Sequence, residues 1–323
     1  MHTLPFSIPS SKHKLALSES ILSMGSCFAV NIGKHLEQHK FKTLSNPFGT
    51  IFNPISLFKA LSLSAGKKFD IDRCLINGEV HAHWDFHSDV SALNAEALKH
   101  QITKRLQLAH SFISKADHLI LTFGTAYAYK LKSSGEIVTN CHKVPQSNFD
   151  KILLNSPDIV AEYINTMDSL RTINPAIKVI LTVSPVRHMK DGLIQNNLSK
   201  AQLISAAHEI CVKDRLATYF PAYEIMIDEL RDYRYYTVDM LHPSNQAIEY
   251  IWEKFTKTHM NDSTQSFVVK WKQILSSLNH RPLHPESAAH QSFLLKLKEG
   301  INSYSSQVDV RKEISFINQQ IQN

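Results

Sequence analysis

Two side chains able to act as nucleophiles, Ser26 and Cys27, follow a glycine at the end of an apolar run and stand at the entrance of a helix. A backbone that turns sharply at Gly25 leaves N–H groups unpaired, and a helix N-terminus favours negative charge on a thiolate or an oxyanion. Such a nucleophile needs a base. Asp239 and His242 form an i, i+3 pair just before a second helix start. An aspartate bonded to one imidazole nitrogen fixes the tautomer and leaves the other nitrogen to take a proton from Cys27 or Ser26. A thiol needs less activation than a hydroxyl, which favours Cys27. Without chemistry, Cys27 is a packed small hydrophobe, Asp239 a surface acid and His242 a helix-start residue.

Further groups fall on loops near these. Gly49 allows either a bare turn or a close backbone N–H donor to an oxyanion. Asn140 and His142, around Cys141, offer an amide donor and a substrate contact, or simply a polar loop closing a hairpin. Arg187 and His188 follow a strand end, where the arginine could hold a substrate carboxylate or phosphate, or pair with a structural acid. His81, His83 and His87 with Asp85 have spacing reminiscent of a metal site, but a chain with 18 histidines produces such clusters readily, and a sheet-edge or groove role is preferred. Tyr233, Tyr235 and Tyr236 with Arg231 and Arg234 either stack on a sugar or pack as a loop.

Strand and helix patterns alternate through most of the chain. The spacing predicts strands at 21–25, 41–44, 118–122, 178–183 and 223–227, and helices over 28–39, from 54, 92–115, 156–171, 197–217 and through 257. Hairpins are predicted around Asn77-Gly78 and Ser134-Gly135. This rhythm gives an α/β fold: three layers, α/β/α, around a mainly parallel sheet, with inserted hairpins and a helical C-terminal extension. Ligand sites in such sheets gather beyond the carboxyl ends of the strands, which puts Gly25-Ser26-Cys27, Gly124-Thr125 and 184–188 on one rim. We expect one main domain over 1–260 and an extension over 261–323, read as a lid or an oligomerisation arm.

The 323 residues, 43% apolar and 20% charged, suit a globular protein, and the net charge of +6 is spread too thinly for a nucleic-acid footprint. No apolar run is long enough for a membrane span, no signal pattern opens the chain, and the four cysteines lack disulfide or zinc spacing. A cytoplasmic protein with reduced thiols, no cofactor and no nucleic-acid partner is expected; the oligomeric state is left open.

The run Gly25-Ser26-Cys27-Phe28-Ala29, with Asn46-Pro47-Phe48-Gly49-Thr50, Phe123-Gly124-Thr125-Ala126, Asn140-Cys141-His142-Lys143, Ser184-Pro185-Val186-Arg187-His188, Ser199-Lys200 and Asp239-Met240-Leu241-His242-Pro243-Ser244, resembles the GSCFA family and, through it, the SGNH or GDSL hydrolases. The resemblance runs from about 21 to 257. It implies an SGNH-like fold in which Cys27 stands at the nucleophile's place, Ser26 at that of the neighbouring aspartate, Gly49 at the oxyanion glycine, and Asp239 and His242 at the acid and base. The Gly-x-Asn-Asp block is here Gly124-Thr125-Ala126-Tyr127, so Gly124 keeps the glycine and the asparagine is absent, a place that Asn140 could fill. The implied activity is that of an ester hydrolase or acyltransferase, on an O-acylated carbohydrate for example, with Thr125, His142, Arg187 and His188 toward the substrate. The second expectation is a binding module on the same fold without chemistry.

Overall fold

The computed structural model describes residues 4–321, so the outermost residues of the two expected segments lie outside the described residues. A five-stranded sheet has the order β11-β10-β6-β1-β2, formed by β1 (Ser20–Gly25), β2 (Lys42–Ser45), β6 (His118–Phe123), β10 (Lys178–Val183) and β11 (Ala217–Phe220). Every pairing in it is parallel. From β1 the chain moves outward to β2, and from β6 it moves the other way, so the topological switch lies between β1 and β6. That is where doubly wound sheets open a crevice.

Both faces of the sheet are covered, which is why its strands are apolar on both sides. Leu22, Met24, Leu119, Leu121, Val179 and Leu181 face α2 (Pro54–Ser64), α3 (Ala95–Ile113), α4 (Ser156–Arg171) and α5 (Leu193–Lys213). Ile21, Ile120 and Ile180 face α1 (Cys27–Gln38) and α7 (Asn245–His259). The second core continues into the C-terminal helices α8 (Asp262–Leu278), α9 (Ala288–Asn302) and α10 (Arg311–Asn318) through Trp271, Leu294, Ile301 and Ile317. Trp271 Nε1 donates to Gln38 O at 2.9 Å, and Lys40 pairs with Glu313 at 2.6 Å. The region read as a lid or arm therefore packs against α1.

Two small antiparallel sheets are inserted near the rim. β3 (Cys74–Asn77) and β4 (Val80–His83) turn at Gly78-Glu79, one residue beyond the expected Asn77-Gly78, and add β5 (Ser91–Ala92). β7 (Tyr127–Leu131) pairs with β8 (Ile137–Val138) and also with β9 (Phe149–Leu153), which the sequence reading did not foresee. The strand expected at 223–227 is instead helical: α6 (Ala222–Glu224) runs into a π-turn at Ile225–Glu229, and the last strand is β11. Ile225 and Met226 are both fully buried there, adjacent positions that an alternating strand would put on opposite faces.

Candidate active site

β1 ends in a turn that only glycine can make. Gly25 has φ +142°, and a Cβ there would lie 2.2 Å from Thr122 O. The turn is fastened on both sides: Gly25 N donates to Asn46 Oδ1 at 2.8 Å, Ile51 N to Gly25 O at 2.9 Å, and Ser26 N to Thr122 O at 3.1 Å. Ser26 occupies the N-cap position of α1 without capping it; its side chain is 1% exposed and its Oγ has no partner. Cys27 opens α1 and is half-buried. Burial pushes its thiol up from 9.0, and its own backbone N–H offsets part of that rise. At rest Cys27 is a thiol, so the helix entrance alone does not make it a thiolate.

The base stands on a turn with its own fastening. Asp239 Oδ1 accepts from Thr237 Oγ1 at 2.6 Å, Leu241 N at 2.8 Å and His242 N at 3.0 Å, while Oδ2 accepts from His242 Nδ1 at 2.6 Å. These donors, the Thr237 hydroxyl foremost, hold the Asp239 carboxyl well below the usual range. Met240 adopts φ +59° to close the turn, Thr237 N donates to His242 O at 2.8 Å, and Ser244 then caps α7 through Ala247 N at 3.3 Å. The Nδ1–H contact leaves His242 Nε2 as the proton-accepting nitrogen, and both side chains are about half exposed, at 47% and 45%.

This turn docks on the segment after β10. Arg187 N donates to Leu241 O at 3.2 Å, Arg187 Nη1 to Met240 O at 3.4 Å, and the guanidinium lies 4.2 Å from the Tyr236 ring centre and 5.2 Å from that of Tyr233. Arg187, expected to face substrate or pair with a structural acid, is here bonded to the Asp239–His242 turn. His188 is packed edge-on to Phe52 at 5.5 Å, within the field of His242 and Lys200. Burial, then the Lys200 charge, lowers it to about 4, so it is neutral at pH 7.

Lys200 had no role in the sequence reading beyond its place in a matching segment. On α5 it is fully buried, and its Nζ donates to Gly124 O and Ser184 O, each at 2.7 Å. It thus ties the loop after β6 to the loop after β10. No sequence signal marked it, because its neighbours come from loops 76 and 16 residues away. Gly124 in turn abuts the nucleophile turn: a Cβ on it would lie 3.0 Å from Ser26 Cβ and 3.0 Å from Phe52 O.

The N–H groups foreseen for an oxyanion are engaged. Gly49 N donates to Asn46 O at 2.9 Å, and Gly124 N and Thr125 N both donate to Phe52 O, at 2.9 and 3.0 Å. Gly49 is required by φ +77° and by His87, whose Cβ would lie 2.7 Å from an added Cβ. Thr125 Oγ1 bonds Ser199 Oγ at 3.0 Å. Asn140 Oδ1 accepts from His142 N at 2.7 Å, a local turn that leaves its Nδ2 for other partners. His142 is buried, with Nε2 donating to His83 O at 3.0 Å, and its carbonyl accepts from Asn77 Nδ2 at 2.8 Å. It clasps the loop after β8 to the β3–β4 hairpin.

Thr125, Asn140 and His188, foreseen from three separate loops, do line one cleft of about 270 Å³ with Phe52 and Tyr127. A cavity of about 1120 Å³ between the N-terminal segment and β11 is lined by Tyr235, Arg231 and Arg234 of the tyrosine–arginine loop but by none of the catalytic or oxyanion candidates. The histidine cluster is occupied structurally: His83 Nε2 donates to Asp70 O at 2.8 Å, its Nδ1 accepts from Asp85 N at 3.1 Å, and Asp85 pairs with Lys59 and Arg73 at 2.8 and 2.9 Å. Among the described residues no three His, Cys, Asp or Glu side chains converge to hold a metal, and no helix is long and apolar enough to cross a membrane.

Compared with known proteins, residues 20–255 match the model of the GSCFA family, and residues 271–323 match that of the GSCFA domain protein, C-terminal domain. No curated protein matches the chain.

Proposed function

The chain belongs to the GSCFA family, and on that premise we propose that it is an SGNH-type ester hydrolase or acyltransferase acting through Cys27, His242 and Asp239. The observation that carries this reading is the 2.6 Å His242–Asp239 contact, which leaves Nε2 as the free imidazole nitrogen on a turn docked at the rim where β1 ends. A base so held suits a nucleophile that rests as a thiol.

In the first half-reaction His242 Nε2 takes the Cys27 proton as the sulfur bonds to the acyl carbon and the carbonyl π pair moves onto oxygen. Collapse of that oxyanion expels the alkoxide, which receives the proton from His242 and leaves as an alcohol. Water or an acceptor hydroxyl then repeats the sequence on the thioester, restoring the thiol. Asp239 orients the imidazole and stabilises its cationic form. The Cys27 N–H, which lies against its own sulfur, and the positive field of Lys200 replace the engaged glycine amides as stabilisers of the oxyanion. Cys27 is favoured over Ser26 because Ser26 is sealed at 1% exposure.

The test is turnover of an activated ester. Cys27→Ala and His242→Ala should each abolish it with melting curves unchanged, and Ser26→Ala should retain it. Full activity in the first two variants refutes the mechanism. A second reading, a binding module without chemistry, is favoured by the engaged Gly49 and Gly124 amides. It predicts uniform, slow alkylation of the four cysteines, against His242-dependent labelling at Cys27 for the enzyme.

A further inference from the structure

Beside the site, the 270 Å³ cleft presents groups that the acyl chemistry does not use: Tyr127 and Tyr129 on β7, Lys151 on β9, and Lys190 and Asp191 on the turn before α5. Sequence reading had no means of grouping them, because β9 reaches the cleft only by pairing with β7. Lys151 Nζ lies 4.2 Å from the Tyr127 ring centre and forms an ion pair with Asp191. Lys190 Nζ donates to Tyr129 Oη at 3.2 Å and lies 5.4 Å from that ring's centre. Two lysines face one aspartate, and His188 in the same wall is neutral, so the cleft carries one surplus positive charge at neutral pH.

The size and the rest of the lining narrow what fits. Drug-sized ligands occupy pockets of about 300–1,000 Å³, so this cleft suits a single ring with its substituents. Phe52, Tyr127 and Tyr129 offer ring surfaces, while the Thr139 oxygen, whose proton goes to Asp85 O at 3.0 Å, offers an acceptor and the free Nδ2 of Asn140 a donor. Apolar ring faces beside amide and hydroxyl groups match the alternating C–H and O–H faces of a pyranose, and the surplus cation calls for an anion on it.

We propose that this cleft holds the sugar of the substrate and that the sugar bears an anionic group, a carboxylate or a phosphate, seated at Lys190 and Lys151. The cleft adjoins the chemistry directly: Phe52 O accepts from Gly124 N and Thr125 N at 2.9 and 3.0 Å, and Gly124 packs on Ser26. The proposal rests on the ester reading for its purpose, whereas binding can be measured without any turnover.

The test is calorimetric titration of the full chain carrying Cys27→Ala with methyl glucuronide, glucose 6-phosphate and neutral methyl glucoside. At least one anionic probe should bind tenfold or more tightly than the glucoside, and rising salt should weaken it. Lys190→Gln should weaken that probe by tenfold or more, while Lys132→Gln, outside the cleft in the turn after β7, should leave it unchanged. Whether the glucuronide or the phosphate binds assigns the anion. Equal binding of charged and neutral probes, no effect of Lys190→Gln, or no binding of any probe at millimolar concentration overturns the inference. Selective anion binding by a protein whose wild type turns over no ester would remove the proposed chemistry and keep the cleft's assignment.

Discussion

Lys200→Met tests whether a buried ammonium is part of this site. Lys200 is fully enclosed, and the bonds that hold its Nζ run to two neutral carbonyls, Gly124 O and Ser184 O. Burial pulls its pKa from 10.5 to about 7. Between those values the unfolded chain binds a proton that the native state has released. Stability therefore rises with pH across the window, by up to about 1.4 kcal/mol per unit. From about pH 7.5 to about pH 9.5 this residue should add roughly 2 kcal/mol to the wild type, and Lys200→Met should lose that increment. Urea unfolding of both proteins at the two pH values reads the difference directly, and ordinary exposed lysines cancel because both proteins share them. Methionine also orphans two carbonyls and removes a desolvated charge, so its stability at one pH is a balance of opposing effects. The pH dependence is free of that balance. Identical pH dependence in the two proteins would refute the reasoning, since it would mean that Lys200 keeps an ordinary pKa and does not sit desolvated beside the site.

Asp239→Asn should leave the fold and probe binding intact while lowering kcat/KM for an activated ester by about 10²–10⁴-fold, because an amide does not hold the required tautomer or stabilise the imidazolium; steady-state kinetics checks it. Gly25→Ala should destabilise by about 3 kcal/mol or more, seen as a lowered Tm, since its Cβ would collide with Thr122 O. Gly124→Ala, with 3.0 Å contacts to Ser26 Cβ and Phe52 O, should cost activity out of proportion to stability by shifting the nucleophile turn, seen by comparing kcat with Tm. Burial lowers His35, His118 and His188 to about 4 and His259 to about 3. Since the unfolded chain protonates them near pH 6.5, their contribution to stability should be complete above that value and decline as pH falls toward 4, with His259→Phe showing a shallower decline in acid titrations followed by circular dichroism.

The parts legible in the sequence were those in which one short segment carries its own physical reason. Gly25 had to turn the chain, Asn77-Gly78 had to make a hairpin, and Asp239 had to reach His242 three residues on; the first and last stand where expected, and the hairpin forms with its turn one residue further on. Four of the five parallel strands followed from apolar runs separated by amphipathic helices; β11 was missed, because the Tyr223–Ile227 pattern was short enough to suit either a strand or the helical turn it forms. What stayed hidden depends on pairs distant in sequence. Whether Gly49 and Gly124 offer a free N–H depends on Asn46 O and Phe52 O, and a glycine's presence says nothing about where its N–H goes. Arg187 looked outward from a strand end until the Tyr233–Tyr236 loop folded over it.

The same distinction bears on how the site is assembled. The nucleophile turn is fixed by β6 and the 46–53 loop, and the base turn by the segment after β10, so the two are set by different contacts. Lys200 bonds to both sides at once, through Gly124 O against the nucleophile turn and Ser184 O at the root of the segment that carries Arg187 and His188. A neutral side chain of equal length would keep the packing without bonding to either carbonyl, and only a cation also supplies a field to an oxyanion. Relative placement of the two turns therefore depends on the two Nζ–H bonds, which the neutral amine keeps, and stabilisation of the oxyanion on the charge. Loss of that charge above pH 7 should lower ester turnover even as it raises stability, so the two pH profiles should run in opposite directions across the same window.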